Sequence, residues 1–139
     1  MDNKTKATIT IVLLAALTFT TGPLLWPVSH DFEFTQEQLP FLVLLSLLES
    51  LAFGAGIAFI FFGWPLMAKI SPKNAALKKL TFISIAWSLI SWWPHDSLHA
   101  ANGINTEGLL LIEYGFHVTL MAAAAVIAYY FYSMLKEGK

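Results

Sequence analysis

Residues 39–68 read LPFLVLLSLLESLAFGAGIAFIFFGWPLMA, and Glu49 is the only charged side chain in this run. A helix of about 20 consecutive apolar residues crosses the roughly 30 Å of hydrocarbon in a bilayer. Lipid offers no partner for backbone N–H and C=O groups, so only a helix satisfies them within such a run. The run therefore predicts a membrane-spanning helix, and the rest of the chain is interpreted around it.

Three further apolar runs occur in the chain, at residues 7–29, 80–100 and 108–135. Each reaches the length of about 20 residues that a spanning helix needs. The 139-residue chain is 57% hydrophobic and 12% charged, and soluble domains carry about twice that charged fraction. These features predict an all-α membrane protein: a four-transmembrane-helix bundle formed by one domain over residues 1–139.

The positions of the lysines predict the orientation of this bundle. With four spans, the two termini and the loop at residues 69–79 lie on one side, and all eight basic residues fall there: Lys4, Lys6, Lys69, Lys73, Lys78, Lys79, Lys136 and Lys139. The charged side chains expected on the other side are all acids: Asp31, Glu33, Glu37, Asp96 and Glu107. Cytoplasmic loops carry an excess of lysine. We therefore expect both termini in the cytoplasm, with the histidine- and acid-bearing loops outside a plasma or inner membrane.

Composition also excludes several classes of function. The chain has no cysteine, which excludes disulfides, thiolate metal sites and thiol catalysis. The net charge of −1 gives no reason to expect a nucleic-acid partner. The expected partners are the lipid bilayer and either other membrane subunits or further copies of the chain, because the short loops leave little room for a soluble substrate domain.

The third apolar run carries a polar face. At 100° per residue its members lie within about 80° of one another: Ser84, Ser88, Ser91, His95 and His99. In lipid, such a face must turn toward other helices. Pro94 lacks an N–H and crowds the carbonyl four residues earlier, so we expect a kink near residues 90–94 and a short following helix that ends at Asn102.

Ionisable groups from three of the four runs are expected at similar depth. Glu113 and His117 stand one helical turn apart in the fourth run, and Glu49 shares its face with small residues in the second. At 1.5 Å per residue, these three groups and His95 fall roughly 7–13 Å below the outer surface, with His99 near the rim. A charge at the centre of a membrane helix costs about 2.5 kcal/mol or more, so these side chains need partners.

A transition-metal site is the function that these residue types favour. Imidazole and carboxylate are ligands of zinc, copper and non-haem iron. The predicted ligands are His95, His99, Glu113 and His117, and the predicted supporting carboxyls are Glu49 and Asp96. The ion could be copper, zinc or iron and could serve a membrane redox or oxygen-chemistry complex. Haem b fits less well, because His95 and His117 differ in depth by roughly 5 Å, one helical turn.

Two other interpretations stay open. In the first, the polar groups only pack helices in a structural or assembly subunit, with Glu49 bonded to His117 and Glu113 bonded to His95. In the second, they line a proton or ion pathway, although no titratable group continues it toward the lysines. His30, in an outer loop, is expected to be solvated. No nucleophile or acid–base pair is diagnostic, so the sequence does not decide whether the protein is an enzyme.

Overall fold

The structure is a computed structural model, and it describes residues 1–31, 33–69 and 74–137. Its helices, in chain order, are α1 (Asn3–Leu25), α2 (Leu39–Phe62), α3 (Trp64–Lys69), α4 (Ala75–Ile90), α5 (Trp92–Asn102), α6 (Thr106–Ile112), a π-helix (Glu113–His117) and α7 (Val118–Glu137). The predicted all-α class is confirmed for these ranges. Lys73 and Lys139, which contribute to the predicted orientation, lie outside the described residues.

Local sequence signals explain where several helices begin and end. The Asn74 side chain accepts hydrogen bonds from two backbone N–H groups at the start of α4, and Asn105 does the same for α6. Such caps satisfy N–H groups that the helix itself leaves unpaired. At the other end of α5, Gly103 has a φ of 58°, a conformation that glycine adopts without steric cost. These signals depend only on neighbouring residues.

Within the part of the chain that the structure describes, three helices are long and apolar enough to cross a membrane: α1, α2 and the continuous helix Thr106–Glu137 that includes the π-helix. The third apolar run is different, because α4 ends at Ile90 and α5 begins at Trp92. The kink expected from Pro94 is therefore confirmed. As a result α4 has 16 residues and a length of about 24 Å, less than the roughly 30 Å of a bilayer core.

The outside of the molecule is apolar and much of its inside is small or polar. Large hydrophobic side chains are exposed along the long helices, among them Leu13 of α1, Phe61 of α2 and Met121 of α7. The buried side chains include several alanines, serines and threonines. Small residues let helix backbones approach closely where lipid supplies no hydrophobic driving force. This distribution, together with the three long apolar helices, supports a membrane protein.

Neighbouring helices pack mainly in chain order: α1 on α2, α2 on α4, and α4 on α7. Two glycines of α2 permit the first two contacts. A Cβ atom at Gly54 would lie 2.7 Å from the backbone oxygen of Ile11 in α1. One at Gly56 would lie 2.6 Å from Ile90 Cγ1 and 3.1 Å from the Ala86 backbone oxygen in α4. Both glycines therefore mark helix contacts with no room for a side chain.

The two ends of the molecule differ in character. At one end, Met67, Leu77 and Tyr130 form a buried cluster that joins α3, α4 and α7. Lys78 Nζ lies at this end and donates to the Ala68 carbonyl over 3.5 Å. At the opposite end, the chain that follows α1 joins α5, because the backbone N–H of Ser29 donates to the Ala100 carbonyl at 2.9 Å. The predicted polar site belongs to this second end.

Candidate functional site

Six titratable side chains from α2, α5 and the π-helix lie next to one another. We call them the histidine–carboxylate cluster; its members are Glu49, His95, Asp96, His99, Glu113 and His117. All six were predicted site residues. The arrangement is built by α5, which carries three of the members, and by the two elements that pack on it.

Within α5, Asp96 determines which ring nitrogen of His95 carries the proton. The His95 Nδ1–H donates to Asp96 Oδ1 over 2.6 Å. Because a carboxylate only accepts hydrogen bonds, Nδ1 carries the proton, and a neutral His95 ring then has its free lone pair on Nε2. The hydrogen bond therefore orients the ring and leaves Nε2 as its acceptor or ligand atom.

The two histidines of α5 face each other through their Nε2 atoms. His95 Nε2 and His99 Nε2 are 3.1 Å apart, and the ring centroids are 4.5 Å apart with the rings nearly perpendicular. Residues four apart lie on the same face of a helix, which explains the contact. Since His95 Nε2 has the free lone pair, His99 Nε2–H is the donor in this hydrogen bond.

The π-helix brings Glu113 to α5. Glu113 Oε1 lies 3.5 Å from His99 Nε2, and Glu113 Oε2 accepts a hydrogen bond from His117 Nδ1. The His117 ring also packs against His95, with centroids 4.9 Å apart. Short π-helical turns inside α-helices are frequent at functional sites. Here the turn places a carboxylate between two histidines of different elements.

Two side chains outside the cluster support the π-helix. Trp87 of α4 stacks on Phe116 and donates from Nε1 to Thr119 Oγ1 at 3.0 Å. The Thr119 hydroxyl lies 2.9 Å from the carbonyl oxygens of both Gly115 and Phe116, to which it can donate. No feature of the sequence marks these residues as part of the site. A threonine four residues after a glycine is too common a pattern to have indicated this role.

Glu49 extends the cluster toward the bundle interior. Its side chain is 4% exposed, and its carboxyl lies within hydrogen-bonding distance of the Asp96 carboxyl. Glu49 Oε1 receives no hydrogen bond from a donor group. Two carboxyl groups in such contact repel each other when both are ionised, so the pair is stable only when it shares a proton or receives one from elsewhere.

The members of the cluster differ in burial. The exposed fraction is 15% for the side chain of His95, 26% for His99, 38% for Asp96 and 45% for Glu113. His117, at 47%, is the most open member. The cluster therefore runs from a buried end at α2 to an accessible end at the π-helix.

The pairing within the cluster differs from the pairs expected for a purely structural network. Glu49 contacts Asp96 where His117 was expected, and Glu113 bonds His117 and approaches His99 where His95 was expected. The partners depend on the rotation of each helix about its axis, which the sequence pattern does not give. His30, expected to be solvated, is exposed.

In the arrangement described for residues 1–31, 33–69 and 74–137, no group of three or more His, Cys, Asp or Glu side chains could hold a metal ion as it stands. The nitrogen and oxygen atoms of the cluster that could bind a metal are instead hydrogen-bonded to one another. Comparison with protein-family models, with curated proteins and with solved structures finds no match to this chain. The geometry and chemistry of the cluster are therefore the basis for a proposed function.

Proposed function

We propose that the chain is a small integral membrane protein that holds a transition-metal ion, copper, zinc or iron, in the histidine–carboxylate cluster. The observation that carries the proposal is the spacing of three atoms that could bind a metal ion. His95 Nε2 and His99 Nε2 are 3.1 Å apart, and His99 Nε2 and Glu113 Oε1 are 3.5 Å apart. Ligand atoms at about 2.0–2.1 Å from a tetrahedral ion are roughly 3.3 Å from one another.

The hydrogen bond between Asp96 and His95 supports the same assignment. Histidines that bind metals commonly donate their other ring N–H to a carboxylate, which orients the ring and raises the basicity of the ligand nitrogen. Asp96 does this for His95 at 2.6 Å. His117 is expected to act in a similar way on Glu113, since its Nδ1 bonds Glu113 Oε2, while Oε1 is the oxygen that approaches His99.

Metal binding would replace the direct hydrogen bond between the two α5 histidines. His99 Nε2 would lose the proton that it donates to His95, because a histidine ligand must be neutral at the atom that binds the metal. A small rotation of the Glu113 carboxylate toward the two rings would complete a set of three protein ligands. Three protein ligands and one open position are typical of catalytic zinc sites.

The proposal includes a topology. α4 and α5 together would form a fourth crossing, with both termini in the cytoplasm and the cluster in the outer half of the membrane. With four crossings all eight lysines fall on the side that carries the termini, and this supports the orientation. In this position the ion could serve redox or oxygen chemistry as a subunit of a membrane complex.

Metal content of the purified protein tests the proposal. We expect about one equivalent of a single transition metal per chain in wild type purified without a histidine tag, and loss of most of it in His99→Ala, because a lost ligand removes much of the affinity of a three-ligand site. His30→Ala is the matched control, since it removes an exposed histidine outside the cluster. The measurement is elemental mass spectrometry, with an absorption spectrum to detect haem.

A purely structural network gives a different outcome. In that case the wild-type protein would contain far less than one equivalent of any transition metal, even after incubation with copper, zinc or ferrous iron. His99→Ala would then lower thermal stability alone, because it leaves buried polar groups without partners. That result would overturn the metal proposal and leave the helix-packing role.

A further inference from the structure

A cavity of about 540 Å³ lies between α1, α2 and α5, on the buried side of the cluster. Most of its wall is apolar and is formed by side chains such as Phe19, Leu42 and Leu45. Its size is within the range of roughly 300–1,000 Å³ that is typical of pockets for small molecules. The metal proposal does not use this space.

One part of the cavity wall is polar. Glu49, Asp96 and His99 all line it, so the buried end of the histidine–carboxylate cluster faces the cavity. The remaining polar lining residues include Ser50, whose side chain is fully buried. A small number of polar groups in a mostly apolar cavity is the pattern that fixes the orientation of an amphipathic ligand.

Two buried oxygens at this polar region lack hydrogen-bond partners. Glu49 Oε1 and Ser50 Oγ have none among the described residues, and the side chain that pairs with Glu49, Asp96, is another carboxyl. Buried polar atoms in proteins are almost always hydrogen-bonded. Glu49 Oε1 lacks a donor, because the adjacent Asp96 carboxyl offers mainly acceptors, and the Ser50 hydroxyl lacks an acceptor.

We infer that this cavity binds an apolar molecule that carries a hydroxyl group, with the hydroxyl donating to Glu49 and the apolar body lying along Phe19, Leu42 and Leu45. The hydroxyl would provide the missing donor, and the same group could accept from Ser50 Oγ. An unsubstituted lipid acyl chain would fill the apolar part and leave the carboxyl region unsatisfied. The proposed site adjoins the metal ligand His99, but the hydroxyl contacts Glu49 and Ser50, and its binding does not require a bound metal.

Photo-crosslinking in lipid nanodiscs tests this inference on the full chain without added metal. The probe is a long-chain primary alcohol with a diazirine in its chain, and its methyl ether, which cannot donate a hydrogen bond, is the matched control. We expect labelled peptides from α1 and α2 and an apparent affinity about tenfold higher for the alcohol. That ratio corresponds to one hydrogen bond.

Two variants separate the cavity from the general lipid surface. Ser46 lines the cavity from an exposed position, so Ser46→Trp should fill it and abolish the labelling by the alcohol. Leu44→Trp adds the same ring on the same helix, at a residue that is 53% exposed and does not line the cavity, and it should leave the labelling unchanged. Glu49→Met should make the alcohol and the ether equivalent while labelling persists.

Equal labelling by alcohol and ether in wild type would overturn the inference and would identify the cavity as a site for acyl chains. Labelling that survives Ser46→Trp would also overturn it, since the probe would then be bound elsewhere. Metal content is measured on the same preparations. A protein that binds the alcohol but holds no metal would therefore retain this inference while losing the proposed function, and the reverse result would do the opposite.

Discussion

Asp96 occupies a central position among the polar side chains. Its carboxyl accepts from His95 Nδ1 at 2.6 Å and lies beside the Glu49 carboxyl at the cavity. The residue therefore connects the proposed metal ligands with the proposed hydroxyl site. The contact with His95 is local to α5, whereas the contact with Glu49 depends on the packing of α5 against α2.

Replacing Asp96 by asparagine tests its effect on the metal. We expect metal affinity to fall by about 10–100-fold, the range typical of changes to groups that hold a ligand. The amide can still accept from His95 but no longer raises the basicity of Nε2. Competition with a chelator measures the affinity, and Asp31→Asn, at an exposed loop acid, is the control. An unchanged affinity in Asp96→Asn would remove the supporting role of this carboxylate.

His117 gives a second test at the scale of single residues. The sequence pattern predicts it as a ligand, whereas its Nδ1 bonds Glu113. If it acts only through Glu113, His117→Ala should lower metal affinity by about 10–100-fold, in the same range as Asp96→Asn. His99→Ala should lower it much further. Equal loss of metal in His99→Ala and His117→Ala would show that His117 is itself a ligand.

Asp2 provides a pH-dependent prediction at the start of α1. Its carboxylate accepts a hydrogen bond from the Thr5 backbone N–H at 2.8 Å, which lowers the pKa of Asp2 from its ordinary value of 3.8. A lowered folded-state pKa means that the stabilisation is fully present above that ordinary value and is lost as the pH falls through the lower one. We expect Asp2→Ala to speed amide exchange in the first turn of α1 near neutral pH.

The same difference in exchange between wild type and Asp2→Ala should shrink well below pH 3.8, where the wild-type carboxyl is protonated. Asp2→Asn is the control, because its side chain keeps an acceptor but does not titrate. A difference that persists unchanged at low pH in Asp2→Ala would show that ionisation of Asp2 does not contribute to the cap.

At the scale of elements, the glycines of α2 determine how closely its neighbours approach. Gly54 meets the backbone of α1 and Gly56 meets α4, so α2 lies between two helices at short distance. In lipid, such contacts replace the burial of large apolar side chains that stabilises soluble proteins. The position of α2 in turn places Glu49 against α5.

Substitution at Gly56 tests how tightly α2 packs against α4. We expect Gly56→Leu to destabilise the protein by about 1–3 kcal/mol, the usual cost of overpacking. Leu44→Ala should cost less, because Leu44 is 53% exposed. Gly115→Ala is a matched glycine control: a Cβ there meets nothing within 4 Å. Thermal unfolding in detergent measures all three, and equal midpoints for Gly56→Leu and Leu44→Ala would show that the α2–α4 contact is not tight.

At the scale of the whole molecule, an apolar outer surface surrounds helices that pack through small residues. The segments that carry the described lysines lie at one end, and the loop after α1 meets the end of α5 at the other. α4 and α5 connect the two ends, although neither is long enough to cross a membrane alone. The topology therefore depends on whether this pair forms a fourth crossing.

Cysteine labelling tests the fourth crossing directly, because the natural chain has no cysteine. Ala76 and Ile104 flank the α4–α5 pair at exposed positions. We expect a membrane-impermeant thiol reagent applied to intact cells to label Ile104→Cys and not Ala76→Cys. Both should react after permeabilisation. Labelling of both variants from the outside would contradict four crossings and the orientation predicted from the lysines.

Features that depend only on neighbouring residues can be predicted from the amino-acid sequence. The helices follow from apolar runs in which no other structure satisfies the backbone. The kink follows from Pro94, because the missing N–H acts within one turn. The polar face of the third run follows from helical periodicity, and two of its serines, Ser84 and Ser91, are buried as predicted. All six members of the cluster could be identified because ionisable groups are rare in lipid.

Contacts between groups on different helices follow from the tertiary structure alone. Glu113 approaches His99 because a π-helical turn changes the rotation of the chain at that point, and no pattern in EYGFH indicates such a turn. The contact of Glu49 with Asp96, and the cavity beside it, depend on the spacing of α1, α2 and α5. Helix rotation and spacing are set by side-chain packing summed over many distant residues, whereas periodicity along one helix specifies only the residues that share a face.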